Sequence, residues 1–518
     1  MLKKSGKISL IIIVLFYLSI NLSTAQINLQ VSLKSMSQSY TVHDPIIITN
    51  DDELASVANS GIGESDDPYI ISGWNITSGI YGIFITGTSK HFRIEKCWIE
   101  DFSNSSIFVS NVAVGTITII NNTFNNSFHG IQIVDSGSVT IANNTCFYNS
   151  RAAILIRHCN FSVIANNTLK HNTFGIYNWS SDSTNISNNF CINQSQDCIF
   201  ILRSSTVEVV NNSCNKNIAA IRSDNSPSLI VANNTCNDNI RHGVYLDNSD
   251  SSIVINNICN NNRFNGLVVS VGVDICSSDS SIIANNTCNS NGYYGIRIAY
   301  SDSSIAANNT CNYNGEYGIT FSETGSSIIA NNVCNDNGED GINMYEFDSS
   351  TIINNTFKNN NESGMKLRDS YSSIITENAC NNNYYSGISL VRSDYNSIGW
   401  NTLFGNGNCG IQLDDNSDYN NIHYNLIIAN GQNELHPCDN GTNNQWNDNI
   451  FSLMESTEYS TSSTREYITI TNSSRSNKSD ETERRISKPF LTSIKLNALV
   501  FELIIVSLLF YKRKTKFR

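Results

Sequence analysis

An Asn-Asn dipeptide, or its positional equivalent, begins at Asn121, Asn143, Asn166, Asn188, Asn211, Asn233, Asn256, Asn285, Asn308, Asn331, Asn354, Glu377 and Trp400. Successive copies are 22 or 23 residues apart, apart from one interval of 29. A period that regular demands a repeat architecture in which each unit stacks on the next. Within one copy the apolar pieces are short and β-branched: Ile282-Ile283, then Thr287-Cys288, then Ile296-Arg297-Ile298, separated by Asn, Ser and Gly. Pieces this short do not make helices. Three strands and three turns per repeat predict one coil of a parallel β-helix, an all-β solenoid of 13–15 coils.

One coil cannot bury its apolar face alone, but coils stacked about 4.8 Å apart bury a continuous inner column. Strand alternation assigns Ile283, Asn286, Cys288, Asn291, Ile296 and Ile298 to the inside or to the corners. The second Asn of each pair forms one column, Asn122 to Asn401, and an Asn five residues later forms another, Asn149 to Asn406. Stacked asparagines hydrogen-bond above and below, and Asn tolerates the left-handed backbone of a sharp corner. These asparagines are read as scaffold. Asp51 and Asp52 ahead of Leu54 and Val57 predict a short capping helix over 50–59.

The pattern I-x-x-N-x-[ILFC]-x-x-N-x(3)-G-I-x-[ILV] resembles the right-handed parallel β-helix repeats of the NosD-type branch of the pectate-lyase-like superfamily. The entry segment DDPYIISGWNIT (66–77) and the exit DNGTNNQW (439–446) are similar to the lead-in and closing coil of those proteins. The resemblance spans residues 41–450. It implies the fold, and leaves the function open between lyases, hydrolases, epimerases and binding shafts.

The expected organisation is a signal peptide over 1–25, a lead-in and cap over 26–90, and repeats over 91–450. A Ser/Thr-rich stalk (451–489), a transmembrane helix (490–511) and a basic cytoplasmic tail (512–518) follow. Lys3, Lys4 and Lys7 precede an apolar run with small residues at Ser23 and Ala25, the pattern of an export signal. Leu491–Tyr511 is long enough to cross a bilayer, and the cluster after it favours the cytoplasmic side. The alternatives are a retained N-terminal anchor and an amphipathic or processed C-terminal tail. A formal charge of −13 argues against nucleic acid, which requires a basic stripe. The sequence specifies no oligomeric state.

Nine of the fifteen cysteines share one repeat position, which Phe124, Leu169, Phe357 and Leu403 fill in other coils. A site that accepts Cys, Phe or Leu is a core site, so these thiols are expected to be packing atoms. Cys409 and Cys438, off the ladder, are the expected pair if any disulfide forms.

Chemistry on a solenoid has to come from outward columns. Tyr177, Phe200, Arg222, Tyr245, Val268 and Arg297 follow the glycine position by two, and Phe174, Phe264, Tyr293, Tyr294, Tyr317 and Tyr385 precede it by one or two. Aromatic rings suit sugar faces and guanidiniums suit carboxylates, so Tyr177, Arg222, Tyr245, Tyr293, Tyr294 and Arg297 are the candidate ligand contacts. The same residues serve equally well as ordinary cross-strand pairs on an exposed sheet. A carboxylate ladder, Glu323, Glu346 and Asp369, with Arg368 beside it, is the candidate for calcium binding or for catalysis on an acidic polysaccharide; the plain alternative is a solvated charged face. Outward sequons at Asn121, Asn143, Asn166, Asn211, Asn233, Asn285, Asn308 and Asn354 are candidate glycosylation sites.

Three functions therefore stand. The first is a membrane-anchored surface protein that binds polysaccharide or cell-surface glycan, or is structural, and needs no cofactor. The second is a polysaccharide lyase or uronan epimerase. The third is copper handling, which the NosD resemblance implies, although His129 and His242 lie five coils apart at one repeat position and cannot share an ion.

Overall fold

The computed structural model describes residues 40–263, 270–431 and 437–452. The expected signal peptide, the stalk from residue 453 on, the transmembrane segment and the basic tail lie outside the described residues. Among the described residues no helix is long and apolar enough to cross a membrane.

The described residues from Thr41 to Ser452 wind as a parallel β-solenoid. One face is an unbroken ladder of seventeen strands, from Tyr69–Ser72 through Ile282–Ala284 to Gln445–Asn447. Each pairs in parallel with its counterpart one coil away, so Ile283 sits between Val254 and Ala306. A second face runs from Thr123–Asn125 to Ile450–Ser452 and narrows to single bridges at Thr235, Ile258, Thr287 and Thr310. The third runs from His129–Val134 to Cys438–Asp439.

The solenoid therefore has more coils than the 13–15 expected, and it starts before residue 91. The first coils hide from the repeat because they lack the Asn pair. Lys96-Cys97 stands where Asn121-Asn122 stands one coil on: Lys96 has φ 52°, and the Cys97 N–H donates to Asn122 Oδ1 at 3.0 Å. The thirteen-residue strands Trp74–Thr86 and Trp98–Ser110 also run through the second and third faces without a break.

The six positions assigned inward are all buried: Ile283, Asn286, Cys288, Asn291, Ile296 and Ile298 have at most 1% of their surface exposed. The two duties expected of one asparagine are divided between the pair. The first residue, exposed in every copy but the half-buried Asn331, takes the left-handed turn, with φ between 55° and 59° from Asn121 to Asn354. The second is buried and bonds along the axis. Asn286 Nδ2 donates to Asn309 Oδ1 (3.1 Å) and to Val254 O (2.9 Å), and Asn286 Oδ1 accepts from Asn257 N–H (2.9 Å). The division follows from geometry, because a left-handed residue points its side chain out of the coil. Hence Glu377 and Trp400 can replace the first Asn while the second persists.

Helix Asp51–Val57 forms where expected. Asn50 Oδ1 accepts from the Glu53 N–H (2.9 Å), and Glu53 reaches back to the Thr49 N–H (2.6 Å), a reciprocal cap. Its Leu54 is fully buried and plugs the open end of the core. The ladder cysteines are core, as read: Cys146 pairs with Leu169, and Phe357 with Cys380. Cys409 and Cys438 are disulfide-bonded. The other thirteen cysteines carry thiols, all buried except the half-buried Cys276.

Candidate functional site

On the third face, the residue before the glycine position and the residue two after it both point outward. Over five coils from Asp197 to Arg297 these two columns carry the chemistry. Strand pairing sets Arg222 beside Tyr245, Tyr245 beside Asp274, and Asp274 beside Arg297. With Asp197, Arg241, His242 and Tyr294 they line a groove of about 670 Å³.

Asp274 is its centre. Only 2% exposed, it receives Arg297 Nη1 at 3.1 Å on Oδ1 and 3.4 Å on Oδ2. His242 Nδ1 lies 3.7 Å from Asp274 Oδ2, too far for a hydrogen bond, and is buried with no other acceptor or donor. The His242 ring stacks on Tyr245, centroids 5.1 Å apart. Burial pushes the Asp274 carboxyl up to about 6, against the pull of Arg297, and pushes Asp197 up to about 6 against Arg222. Burial, together with Arg241, Arg297 and Arg222, takes His242 down to about 4. At neutral pH the groove thus holds three guanidiniums, two carboxylates held at the edge of protonation and a neutral imidazole.

Toward the N-terminal end the groove opens onto an aromatic platform. Phe174, Tyr177 and Phe200 cluster at 5.0–6.1 Å, and the Arg222 guanidinium lies 4.9 Å over Phe200. The Arg222 Nε is buried without a partner. Toward the C-terminal end Tyr294 stacks on Tyr317 at 5.4 Å.

Of the candidate ligand contacts, Arg222, Tyr245, Tyr294 and Arg297 line the groove and Tyr177 stands on the platform. Tyr293 does not line the groove; it meets Tyr294 edge-on at 6.0 Å. The stripe was misread at its centre: Val268 and Phe264 lie outside the described residues, and Asp274 occupies the column. A signal for this existed. Gly272-Val273-Asp274-Ile275 repeats the frame of Gly243-Val244-Tyr245-Leu246 and Gly295-Ile296-Arg297-Ile298, which places the six extra residues before the strand. Asp197 escaped because Cys198 replaces the glycine that marks the column.

The carboxylate ladder lies elsewhere. Glu323, Glu346 and Asp369 occupy left-handed corners beyond the third face, with φ 49–52°. Asp369 does not face an open cation site, since Arg392 grips both its oxygens at 2.7 Å and holds its carboxyl below the usual range. Arg368 is exposed beside it. The eight candidate sequon asparagines are all exposed, each at a corner.

Among the described residues, the donors a copper ion would need do not fit one. The ladder thiols are sealed in the core, where burial raises Cys146 and Cys380 and so disfavours thiolate. Among the described residues no three His, Cys, Asp or Glu side chains are placed to hold one ion.

The chain is similar to two protein families. One is described as periplasmic copper-binding protein (NosD), matching residues 20–199, 269–409 and 308–482; the other is the right-handed β-helix region, matching 130–274. No curated protein matches the chain. Similar solved structures include the periplasmic alginate epimerase AlgG, at 12% identity and TM-score 0.39 over 79% of this chain and 85% of that one. Tailspike protein 3 of bacteriophage CBA120 matches at 11% and 0.34 over 71% and 61%. The A-module of the Azotobacter vinelandii mannuronan C-5 epimerase AlgE6 matches at 11% and 0.30 over 73% and 90%. Likenesses this distant say nothing about chemistry. The NosD matches span most of the chain, and on them this right-handed β-helix belongs to the NosD family.

Proposed function

We propose that the third face binds an acidic polysaccharide lying along the solenoid axis. One observation carries this reading: in a chain of formal charge −13, Arg222, Arg241 and Arg297 converge on a single groove. Guanidiniums bind carboxylates through paired hydrogen bonds, and the adjoining Phe174, Tyr177 and Phe200 offer flat faces to sugar rings. The groove is lined by successive coils from Asp197 to Arg297, which suits a polymer running along the axis. The reading needs no cofactor.

The test is binding of acidic and neutral polysaccharides, measured by calorimetry, to wild type and to Arg222→Ala/Arg297→Ala. Acidic polymers alone should bind, and the double variant should lose at least tenfold in affinity. Equal binding of neutral polymers, or an unaffected variant, would sink the proposal.

A second reading, lyase or epimerase chemistry on a uronate, is favoured by the neutral His242 imidazole beside Arg297 and Tyr245. A guanidinium on the carboxylate would acidify the neighbouring C–H, and His242 or Tyr245 would exchange the proton. Incubation in deuterated water distinguishes the readings: deuterium at C5 or new unsaturated ends means catalysis, and an unlabelled intact polymer means binding alone.

We also infer that the solenoid stands outside the cell, exported through residues 1–25 and anchored through 490–511. The Cys409–Cys438 disulfide supports an oxidising compartment. Protease added to intact cells should remove the solenoid; complete protection would count against this placement.

A further inference from the structure

We propose that Cys198 and Cys214 form a second disulfide, buried in the core directly beneath the groove. The repeat shows how crowded the position is. In seven coils a glycine stands sixteen residues before a ladder cysteine, as Cys198 stands before Cys214. A Cβ added at Gly243, Gly272 or Gly295 would lie 2.8 Å from the Cβ of Cys259, Cys288 or Cys311, and at Gly318 it would lie 2.6 Å from that of Cys334. That position therefore has almost no room for a side chain. Two coils place alanine there, Ala153 and Ala220, both fully buried. Only Cys198 brings a heavier atom.

As thiols the two sulfurs stand 2.7 Å apart. Non-bonded heavy atoms rest at about 3.5–4.0 Å, whereas bonded sulfurs lie about 2.05 Å apart. The crowding that excludes side chains from this position in the glycine coils is relieved here by a covalent bond. Cys191 competes in two ways: it pairs with Cys214 across the parallel ladder, and its thiol is also in hydrogen-bonding contact with Cys198. Neighbours in a ladder lie about 4.8 Å apart with parallel side chains, beyond the ~3.8 Å between Cβ atoms that a disulfide prefers. Cys198 approaches Cys214 from a different face, and its sulfur already stands within 2.7 Å of the Cys214 sulfur.

Both sulfurs are fully buried in the finished coil, so the bond has to form while the coil is still open. Two thiols release two protons and two electrons; the acceptor is a disulfide oxidant, which is reduced to two thiols. The product ties strand Ile199–Leu202 to the following coil. Asp197, which lines the groove, is the residue next to Cys198. The bridge thus fixes the floor under Asp197, Phe200 and Arg222.

The full chain, produced in an oxidising compartment, is denatured and alkylated without reductant, then digested and mapped by mass spectrometry. The expected result is a cross-linked peptide pair holding Cys198 and Cys214 that separates on reduction. Two fewer cysteines than the thirteen outside the Cys409–Cys438 bridge should take alkyl groups. Thirteen alkylated cysteines, or a cross-link joining Cys191 to either Cys198 or Cys214, would overturn the proposal. The variant Cys198→Ala copies the residue of neighbouring coils and should fold. In it Cys214 should become alkylated while Cys409–Cys438 stays closed; Cys214 still protected would equally overturn it.

Discussion

Arg297 Nη1 stands 3.1 Å from Asp274 Oδ1, one coil further along the same outward column. The pair sets the charge of the groove. Asp274 neutralises Arg297 when ionised and releases it when protonated, and burial places that change near pH 6. Asp197 makes the same change against Arg222 and Arg241. His242, Tyr245, Asp247 and Cys276 are the other titratable groups facing Asp274, and Tyr294 lines the same groove. His242 stays neutral down to about 4, and the two tyrosines, near 12, stay protonated. Affinity for an acidic polysaccharide should therefore rise about tenfold, or ~1.4 kcal/mol, as pH falls from 7 to 5. In Asp197→Asn/Asp274→Asn it should be level over that range. Calorimetric titrations at fixed ionic strength would check both, and wild-type affinity independent of pH would refute the charge account.

Asp340 tests the same physics away from the groove. It is fully buried, accepts from the Ser363 N–H at 2.8 Å and from Asn343 Nδ2 at 3.0 Å, and burial still takes it up to about 6. A carboxyl whose folded pKa exceeds its unfolded value of 3.8 stabilises the fold most below pH 3.8. That contribution is lost as pH rises through about 6, and the full difference is on the order of 3 kcal/mol. An amide at 340 keeps the Ser363 contact and does not ionise. Urea unfolding from pH 4 to 8 should show Asp340→Asn gaining on wild type as pH rises. A constant difference would mean that Asp340 does not titrate in this range.

The fold was legible because its period is written in residues whose side chains have no freedom. The second Asn must bond to its copies above and below, and the inward Ile must meet its neighbours. Legibility failed where the structure accepts substitutes. Lys96-Cys97 does the work of an Asn pair using only a left-handed backbone and one N–H, so the first coils carried no signature. Asp274 was missed because an insertion has two placements in sequence but one in space, where hydrogen bonding to Tyr245 and Arg297 decides. The Glu323, Glu346 and Asp369 ladder looked like a site because a column says which residues are neighbours. It does not say that Arg392, a coil further on, has already claimed one of them.

The two asparagines of a pair should respond very differently to substitution. Asn286→Ala strands the Asn257 N–H and takes a donor from the Val254 carbonyl inside the core, while Asn309 Oδ1 keeps only the Asn286 backbone N–H. Each unsatisfied buried group costs about 1–3 kcal/mol, so a loss of roughly 2–4 kcal/mol is expected after partial relaxation. Asn285 is exposed at φ 55° and needs only its backbone conformation. Asn285→Ala should cost ~1 kcal/mol and Asn285→Gly almost nothing. Denaturant unfolding of the three variants would check this; equal losses at 285 and 286 would contradict the division of labour.

Two glycines should fail for opposite reasons. At Gly115, φ 80°, an added Cβ meets nothing within 4 Å, so Gly115→Ala costs only backbone strain, about 1 kcal/mol. Gly295 has an ordinary backbone, but its added Cβ would lie 2.5 Å from the Gly318 carbonyl oxygen and 2.8 Å from the Cys311 Cβ. Neither can swing aside, because both belong to the stacked ladder, so Gly295→Ala should cost about 1–3 kcal/mol by overpacking. Gly295 lies between Tyr294 and Arg297 in the strand Tyr294–Ala299, so the displacement reaches the groove. Gly295→Ala should therefore weaken acidic-polysaccharide binding as well as stability, while Gly115→Ala lowers stability alone. Melting curves and binding isotherms on both variants separate the effects. Unimpaired binding in a destabilised Gly295→Ala would show that the groove does not depend on the exact position of its strand.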